Sequence, residues 1–270
     1  MKKIAVIVNF DKENALSVAK SLIEKLAGKV APYALPQDAA MLGIATAADD
    51  NELFSLCGTA VVLGGDGTII SAAKRCAPYE TVLLGINLGH LGYLASIEPC
   101  RLDEAVQLLL SDDIHYDNRF MLRVSLENGE THHALNEIAL SRGGSSRLMN
   151  FTALSEGKTV CKYRADGIIA ATPTGSTAYS LAAGGPIIAP NADAMVLTPI
   201  CPHMLRARSI VLPPKRIEIT SDEASQLSVD GQIFRPVAAG ERVTVEKSEY
   251  TVRLAHKPEL SFYDILQKKF

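Results

Sequence analysis

Residues 61–70 read VVLGGDGTII, an apolar run that ends in a glycine-rich turn and passes into a helix-like run. That order builds a phosphate cradle: glycines let backbone N–H groups come close to an anion, and a following helix points its positive end at it. Gly64, Gly65, Gly67 and Thr68 form the expected loop, with the helix starting at about Ile69. Asp66 sits among them, where a carboxylate should repel phosphate. Two kinds of chemistry give it a purpose. It can take the proton of an alcohol attacking a phosphoryl group, or help hold a Mg²⁺ that screens phosphates. A solvent-facing acid in an ordinary Gly-Asp-Gly turn explains the loop alone equally well. The G-x-x-x-x-G-K-[ST] loop is missing, and Gly85, Gly89 and Gly92 have the wrong spacing for G-x-G-x-x-G.

A second segment, RADGIIAATPTGSTAYSLAAGGP (164–186), holds a short strand, a loop and a second run. Pro173 and Gly175 shape the loop, and Thr174, Ser176 and Thr177 line it with hydroxyls that can cap a helix or bond a phosphate. By itself this is a capped helix. Paired with the first loop, it points to a polyphosphate or dinucleotide ligand. Between them, ALNEIALSR (134–142) places Asn136 and Glu137 inside an apolar run, so at least one faces inward and needs partners. Periodicity alone favours an exposed face with one satisfied core amide.

The elements that carry these loops change character along the chain. IAVIV (4–8), TAVVLGG and TVLLGIN are short continuous apolar strands, the last two running into or containing glycine. Ala15, Val18, Ala19, Leu22, Ile23 and Leu26 mark a helical stripe ended by Gly28, and LDEAVQLLLS (102–111) marks another helix. This alternation predicts a parallel sheet covered on both faces. From about residue 119 the pattern becomes hairpin-like. Phe120, Leu122, Val124 and Leu126 alternate with Met121, Arg123, Ser125 and Glu127 before Asn128-Gly129. FTALSEGKTVCKYR, SIVLPPKRIEIT, QLSVDGQIF and ERVTVEKSEYTVRLA read the same way. The expectation is an α/β domain over 1–118, rejoined by about 255–270, and an antiparallel β-sandwich over 119–254. In the tail, Phe262, Ile265 and Leu266 share a helical face that can return to the first domain.

Composition narrows the function. The 270 residues carry a formal charge of −3 with no basic block, so nothing favours nucleic acid. No apolar run approaches a membrane span, and MKKIAVIVNF reads as a first strand because DKEN cuts it short. Five cysteines without C-x-x-C spacing read as thiols in a reducing cytoplasm, neither a disulfide framework nor a zinc site. His132 and His133 are expected to face solvent rather than a metal.

GGDGT (64–68), NLGHLGYL (87–94), LNE (135–137), DGIIAATPTGSTAYSLAAGGP (166–186) and SVDGQ (228–232) together resemble bacterial NAD kinases, in that family's order and spacing. GGDG alone is shared with lipid- and sugar-kinase-like proteins; LNE with TPTGSTAYSLAAGGP is far more specific. The resemblance implies transfer of a phosphoryl group from ATP, or polyphosphate, to the adenosine ribose 2′-hydroxyl of NAD. It implies Asp66 as general base in contact with the reacting ribose, with Gly67 beside it also binding NAD, and Asn136 and Glu137 on the ribose and phosphates. Thr174 and the run Thr177, Ala178, Tyr179, Ser180, Leu181 and Ala182 match the segment around the bases. Arg164, Asp166, Gln232 and Arg147 match further NAD-binding positions, of which 147 varies in type. Mg²⁺ would ride on substrate phosphates with no protein cage, and the family forms homodimers or homotetramers. The alternatives are a lipid or sugar kinase sharing the GGDG loop and a non-catalytic dinucleotide sensor.

Overall fold

The computed structural model describes the chain except residues 90–91, 96, 112, 144–147, 257–260 and 270. It divides into two compact units, Met1–Asn118 with Thr251–Phe270, and Arg119–Tyr250.

The first unit alternates strand and helix: β1 (Lys2–Val8), α1 (Ala15–Leu26), β2 (Val30–Ala34), α2 (Pro36–Leu42), β3 (Ala45–Thr46), α3 (Asp50–Leu56), β4 (Thr59–Gly64), α4 (Asp66–Cys76), β5 (Val82–Asn87) and α5 (Leu102–Leu110). The strands lie in the order β3-β2-β1-β4-β5, all parallel. A parallel sheet needs cover on both faces, which is why β4 is buried along its whole length and apolar from Ala60 to Leu63. On one face Ala15, Ala19, Leu22 and Leu26 of α1 and Ala105 and Leu109 of α5 share a core with Ile4, Val6, Val61 and Leu63. On the other, α3 and α4 lie against β1, β4 and β5. Ala27 caps α1, and Gly28 follows at φ +74°.

The second unit comprises β6 (Tyr116–Ser125), β7 (Thr131–Ala134), β8 (Glu137–Ser141), β9 (Met149–Ser155), β10 (Lys158–Ala165), β11 (Gly167–Ala171), α6 (Tyr179–Ala182), β12 (Met195–Ile200), β13 (Ile210–Leu212), β14 (Ile217–Ser221), β15 (Ser225–Val229), β16 (Ile233–Val237) and β17 (Val243–Ala255), with β6 and β17 running through its boundaries. One antiparallel sheet contains β10-β9-β14-β17, with β6 pairing β17 and β7; the other runs β13-β12-β11-β8-β15-β16. They enclose one core, in which Leu122, Phe151, Ala153, Ile217 and Val243 meet Ile138, Leu140, Ile168, Leu197 and Leu227. The second sheet is covered on its far face too, where Ala139, Ile169, Ala171 and Val196 pack with Ile188. GIIAA is therefore continuous rather than alternating.

Three hairpins form as expected: β6–β7, β9–β10 and β15–β16. Two runs do not fold back on themselves. ERVTVEKSEYTVRLA contains the single thirteen-residue β17 (Val243–Ala255), and no Gly, Asn, Asp or Pro lies inside it to supply the usual hairpin turn. In SIVLPPKRIEIT, β13 pairs β12 while β14 pairs β9 and β17. Pro213-Pro214 acts there as a crossing between sheets rather than a turn. In the first unit, α7 (Phe262–Lys269) turns the half-buried side chains of Phe262, Ile265 and Leu266 inward, and the Phe262 ring lies 6.5 Å from that of Tyr93.

Candidate functional site

In the first unit, β4 ends at Gly64, Gly65 caps α4, and Asp66 is the first helical residue. The helix begins three residues before the apolar spacing indicates, since its first turn projects beyond the core and Ile69 and Ile70 are its first buried residues. Asp66 thus stands where the unsatisfied N–H groups of a helix start favour negative charge. Its carboxylate accepts hydrogen bonds from two backbone N–H groups of the loop after β5, Tyr93 to Oδ2 (2.9 Å) and Leu94 to Oδ1 (3.2 Å). Gly92 makes this approach possible: a Cβ there would overlap the Asp66 carboxylate. Thr68 Oγ1 accepts from Asn9 Nδ2 at 3.3 Å.

Gly67 and Thr68 open onto a cleft of about 520 Å³ beside the end of β1, lined also by Asn9, Asp11, Asp38 and Arg75. Arg75 is held by both oxygens of Asp50, which raises its pKa further. Burial pushes the Asp38 carboxyl up, against the Val8 N–H and Arg75, which lower it. Among the described residues no three His, Cys, Asp or Glu side chains gather into a metal-binding cluster. No described helix is long and apolar enough to cross a membrane.

In the second unit the LNE, PTGST and VDGQ segments meet. Glu137 is buried and Asn136 half-buried, so the pair does not form the exposed face that periodicity favours. Periodicity fails because Asn136 precedes β8 and its backbone follows no strand ladder. The N–H groups of Leu135, Asn136 and Glu137 all donate to Asp230, at 3.0, 2.8 and 3.0 Å. From the other side Thr172 Oγ1 donates to the Leu135 carbonyl (2.6 Å), and Thr172 N–H to that of Asn136 (2.9 Å). Gly175 lies so close to Asn136 that a Cβ would overlap its carbonyl.

The hydroxyls of the PTGST loop divide. Ser176, wholly buried, donates to Pro173 O (2.6 Å) and accepts from Ile188 N–H, so it holds the loop and does not line a ligand surface. Ser180 is also buried, bonded to Thr198 at 2.9 Å. Thr174 Oγ1 accepts from Arg119 (3.4 Å), and Thr177 Oγ1 donates to Thr174 O (3.1 Å). The run expected after the loop is a 3₁₀ turn (Gly175–Thr177) followed by the four-residue α6. On it, Tyr179 and Ala182 are exposed, while Thr177, Ala178 and Leu181 are half-buried. Burial raises the Tyr179 pKa, and Cys201, Glu137 and Asp166 add to the rise. Asp166 pairs with Arg142 at 3.2 Å. Arg164 is exposed on β10, Gln232 is exposed at the β15–β16 turn, and Arg147 lies outside the described residues. His132 and His133 are half-buried rather than solvent-facing, bonded to Glu130 (2.7 Å) and Ser248 (2.8 Å). The residues that sequence reasoning passes over are Asp230 and Thr172. Asp230 lies in the quoted SVDGQ, but a contact spanning more than ninety residues leaves no local signal.

Comparison with known proteins matches residues 4–114 to the ATP-NAD kinase N-terminal domain and 135–257 to the ATP-NAD kinase C-terminal domain. The NAD kinase of Caldanaerobacter subterraneus is 37% identical over 100% of this chain and 99% of its own length. That of Chlorobaculum tepidum is 40% identical over 99% and 96%. Among solved structures, yeast NADH kinase complexed with NADH is similar with a TM-score of 0.91 at 26% identity, covering 99% of this chain and 87% of that one. An NAD kinase from Archaeoglobus fulgidus in complex with ATP gives 0.78 at 25%, covering 99% and 98%.

Proposed function

The chain belongs to the NAD kinase family, a family of phosphotransferases, and we propose that it uses Asp66 as general base in moving the terminal phosphoryl group of ATP to the ribose 2′-hydroxyl of NAD. The observation that carries the role of Asp66 is its bonding. Each carboxylate oxygen accepts one backbone N–H, which fixes the group at the start of α4. A carboxylate has roughly four acceptor sites, so capacity remains for a hydroxyl proton. A ribose alcohol is a poor nucleophile at neutral pH, and a positioned base helps as its proton becomes acidic late in the reaction. Phosphoryl transfer otherwise needs alignment and charge neutralisation.

Gly64, Gly65, Gly67 and Thr68, with the start of α4, would hold the donor's phosphates. The adjoining cleft argues for ATP over polyphosphate. Asp11 and Asp38 line it, and its Arg75 is already neutralised by Asp50. It suits a compact nucleotide with an uncharged nucleoside end better than a long polyanion. The Archaeoglobus relative, solved with ATP, supports the same donor, and the yeast relative, solved with NADH, supports a dinucleotide acceptor. A divalent cation, if present, would screen the transferring phosphates and be carried by them. NAD would be held by Asn136, Glu137, Arg164, Asp166, Thr174, Gln232, Arg147 and the segment Thr177–Ala182, with Tyr179 offering an exposed ring for stacking. Ser180 would contribute through the backbone, its hydroxyl being used by Thr198.

The proposed setting is the reducing cytoplasm, in keeping with the free thiols at all five cysteines. Self-association into a dimer or tetramer is part of the same reading, and light scattering would measure it.

The test supplies NAD, ATP and Mg²⁺ and reads product with an NADP-specific dehydrogenase. NADP formation with ATP, and much less with polyphosphate, is expected. NAD binding without turnover would replace the enzyme by a sensor.

A further inference from the structure

We propose that Asp230 is a positioning residue for the acceptor, acting through the backbone of Leu135–Glu137; this rests on the NAD reading above. Successive N–H groups of a strand point to opposite sides, yet these three converge on one carboxylate. The segment is therefore bent into a concave nest of amides, the kind of surface that binds anions. Asp230 fills it from within. A dinucleotide phosphate is shut out of those amides, and what LNE offers a ligand is its side chains.

The carboxylate is itself fixed. Asp230 adopts φ +50° and Gly231 φ +63° at the β15–β16 turn, and the Asp230 N–H donates to Glu137 O at 2.9 Å. With Thr172 holding the carbonyls of Leu135 and Asn136, the peptide groups on both sides of Asn136 are pinned. The Cα–Cβ bond of the half-buried Asn136 is thereby given one direction. Gln232, two residues from Asp230, shares the same turn, so the clamp sets two proposed NAD contacts together.

Asp230→Asn isolates the effect. Asn tolerates positive φ as Asp does, but its NH₂ must face a backbone N–H that had an acceptor. Loss on the order of 10²-fold in kcat/KM for NAD is expected, the size of a 1 Å misplacement, with KM for ATP unchanged. A merely structural role would lower thermal stability and active fraction without splitting the two substrates, and that result overturns the proposal. So does an Asp230→Asn enzyme as active as wild type. Should the variant not fold, amide exchange of the wild-type chain decides: Leu135, Asn136 and Glu137 should exchange slowly, and exchange at exposed-loop rates overturns the clamp. A wild-type chain that makes no NADP is a separate outcome, which fells the substrate reading and the role built on it.

Discussion

Gly92→Ala is the sharpest probe of the site because it leaves the carboxylate chemically intact and only moves it. The glycine is not in the left-handed region, so alanine is not excluded by its backbone. The obstacle is space. A Cβ would stand 2.5 Å from Asp66 Cγ and closer still to Oδ1. Carbon atoms in contact prefer at least about 3.5 Å, so carboxylate and loop must part by roughly 1 Å. Both N–H bonds from Tyr93 and Leu94, at 2.9 and 3.2 Å, then lengthen past useful geometry. Misplacement of that size costs on the order of 10²-fold in rate, about 2.7 kcal/mol at 1.36 kcal/mol per tenfold. Steady-state kinetics with the coupled NADP assay should show the loss in kcat. KM for NAD should change much less, since the other acceptor residues proposed above belong to the second unit. Turnover within about threefold of wild type, a change worth only about 0.65 kcal/mol, would refute the reasoning.

Asp66→Asn should lower kcat by roughly 10²–10⁴-fold while the chain stays folded, checked by the same assay beside a thermal melt; near-normal turnover would remove Asp66 as base. Thiol titration should find two fast groups in the native chain, the exposed Cys100 and Cys201, and five after unfolding. Burial pushes the Cys57 and Cys76 thiols up to about 11 and about 12 and raises that of Cys161, so none supplies thiolate near neutrality. Burial lowers the His133 pKa from 6.5, with Arg123 and His132 acting the same way and Glu249 opposing. The unfolded chain therefore takes up a proton as pH falls through 6.5 while the native one resists. This stability is present above 6.5 and is lost as pH falls through the lowered native value. Denaturant midpoints measured above and below pH 6.5 should reveal the slope, and His133→Gln should flatten it.

What the sequence reveals follows the range of the forces involved. Local patterning shows the parallel sheet, the stripe on α1 and the hairpins at Asn128-Gly129 and Glu156-Gly157, whose turns require positive φ. β17 reads as a hairpin because alternation reports a half-buried strand and says nothing of where it reverses. The start of α4 is hidden because its first turn faces outward and leaves no apolar mark. Of the site, glycine-rich loops announce themselves by type. The hydroxyls within them do not declare which way they point, and Ser176 and Ser180 turn inward to hold Ile188 and Thr198.

The same device recurs in both units, and the difference between its two uses bears on function. Asp66 and Asp230 each take successive backbone N–H groups from a loop distant in sequence, twenty-seven or more residues away. A carboxylate offers about four acceptor sites. Asp230 commits at least three to Leu135, Asn136 and Glu137 and stands at a turn, so little of it remains for a ligand. Asp66 commits two and stands at the open end of α4 beside a cleft. Two bonds orient the group; the remaining lone pairs leave it able to accept a proton. The acid that seemed out of place in a phosphate loop is held like a structural residue but only half used, and a positioned base requires that combination of fixed direction and spare acceptor capacity.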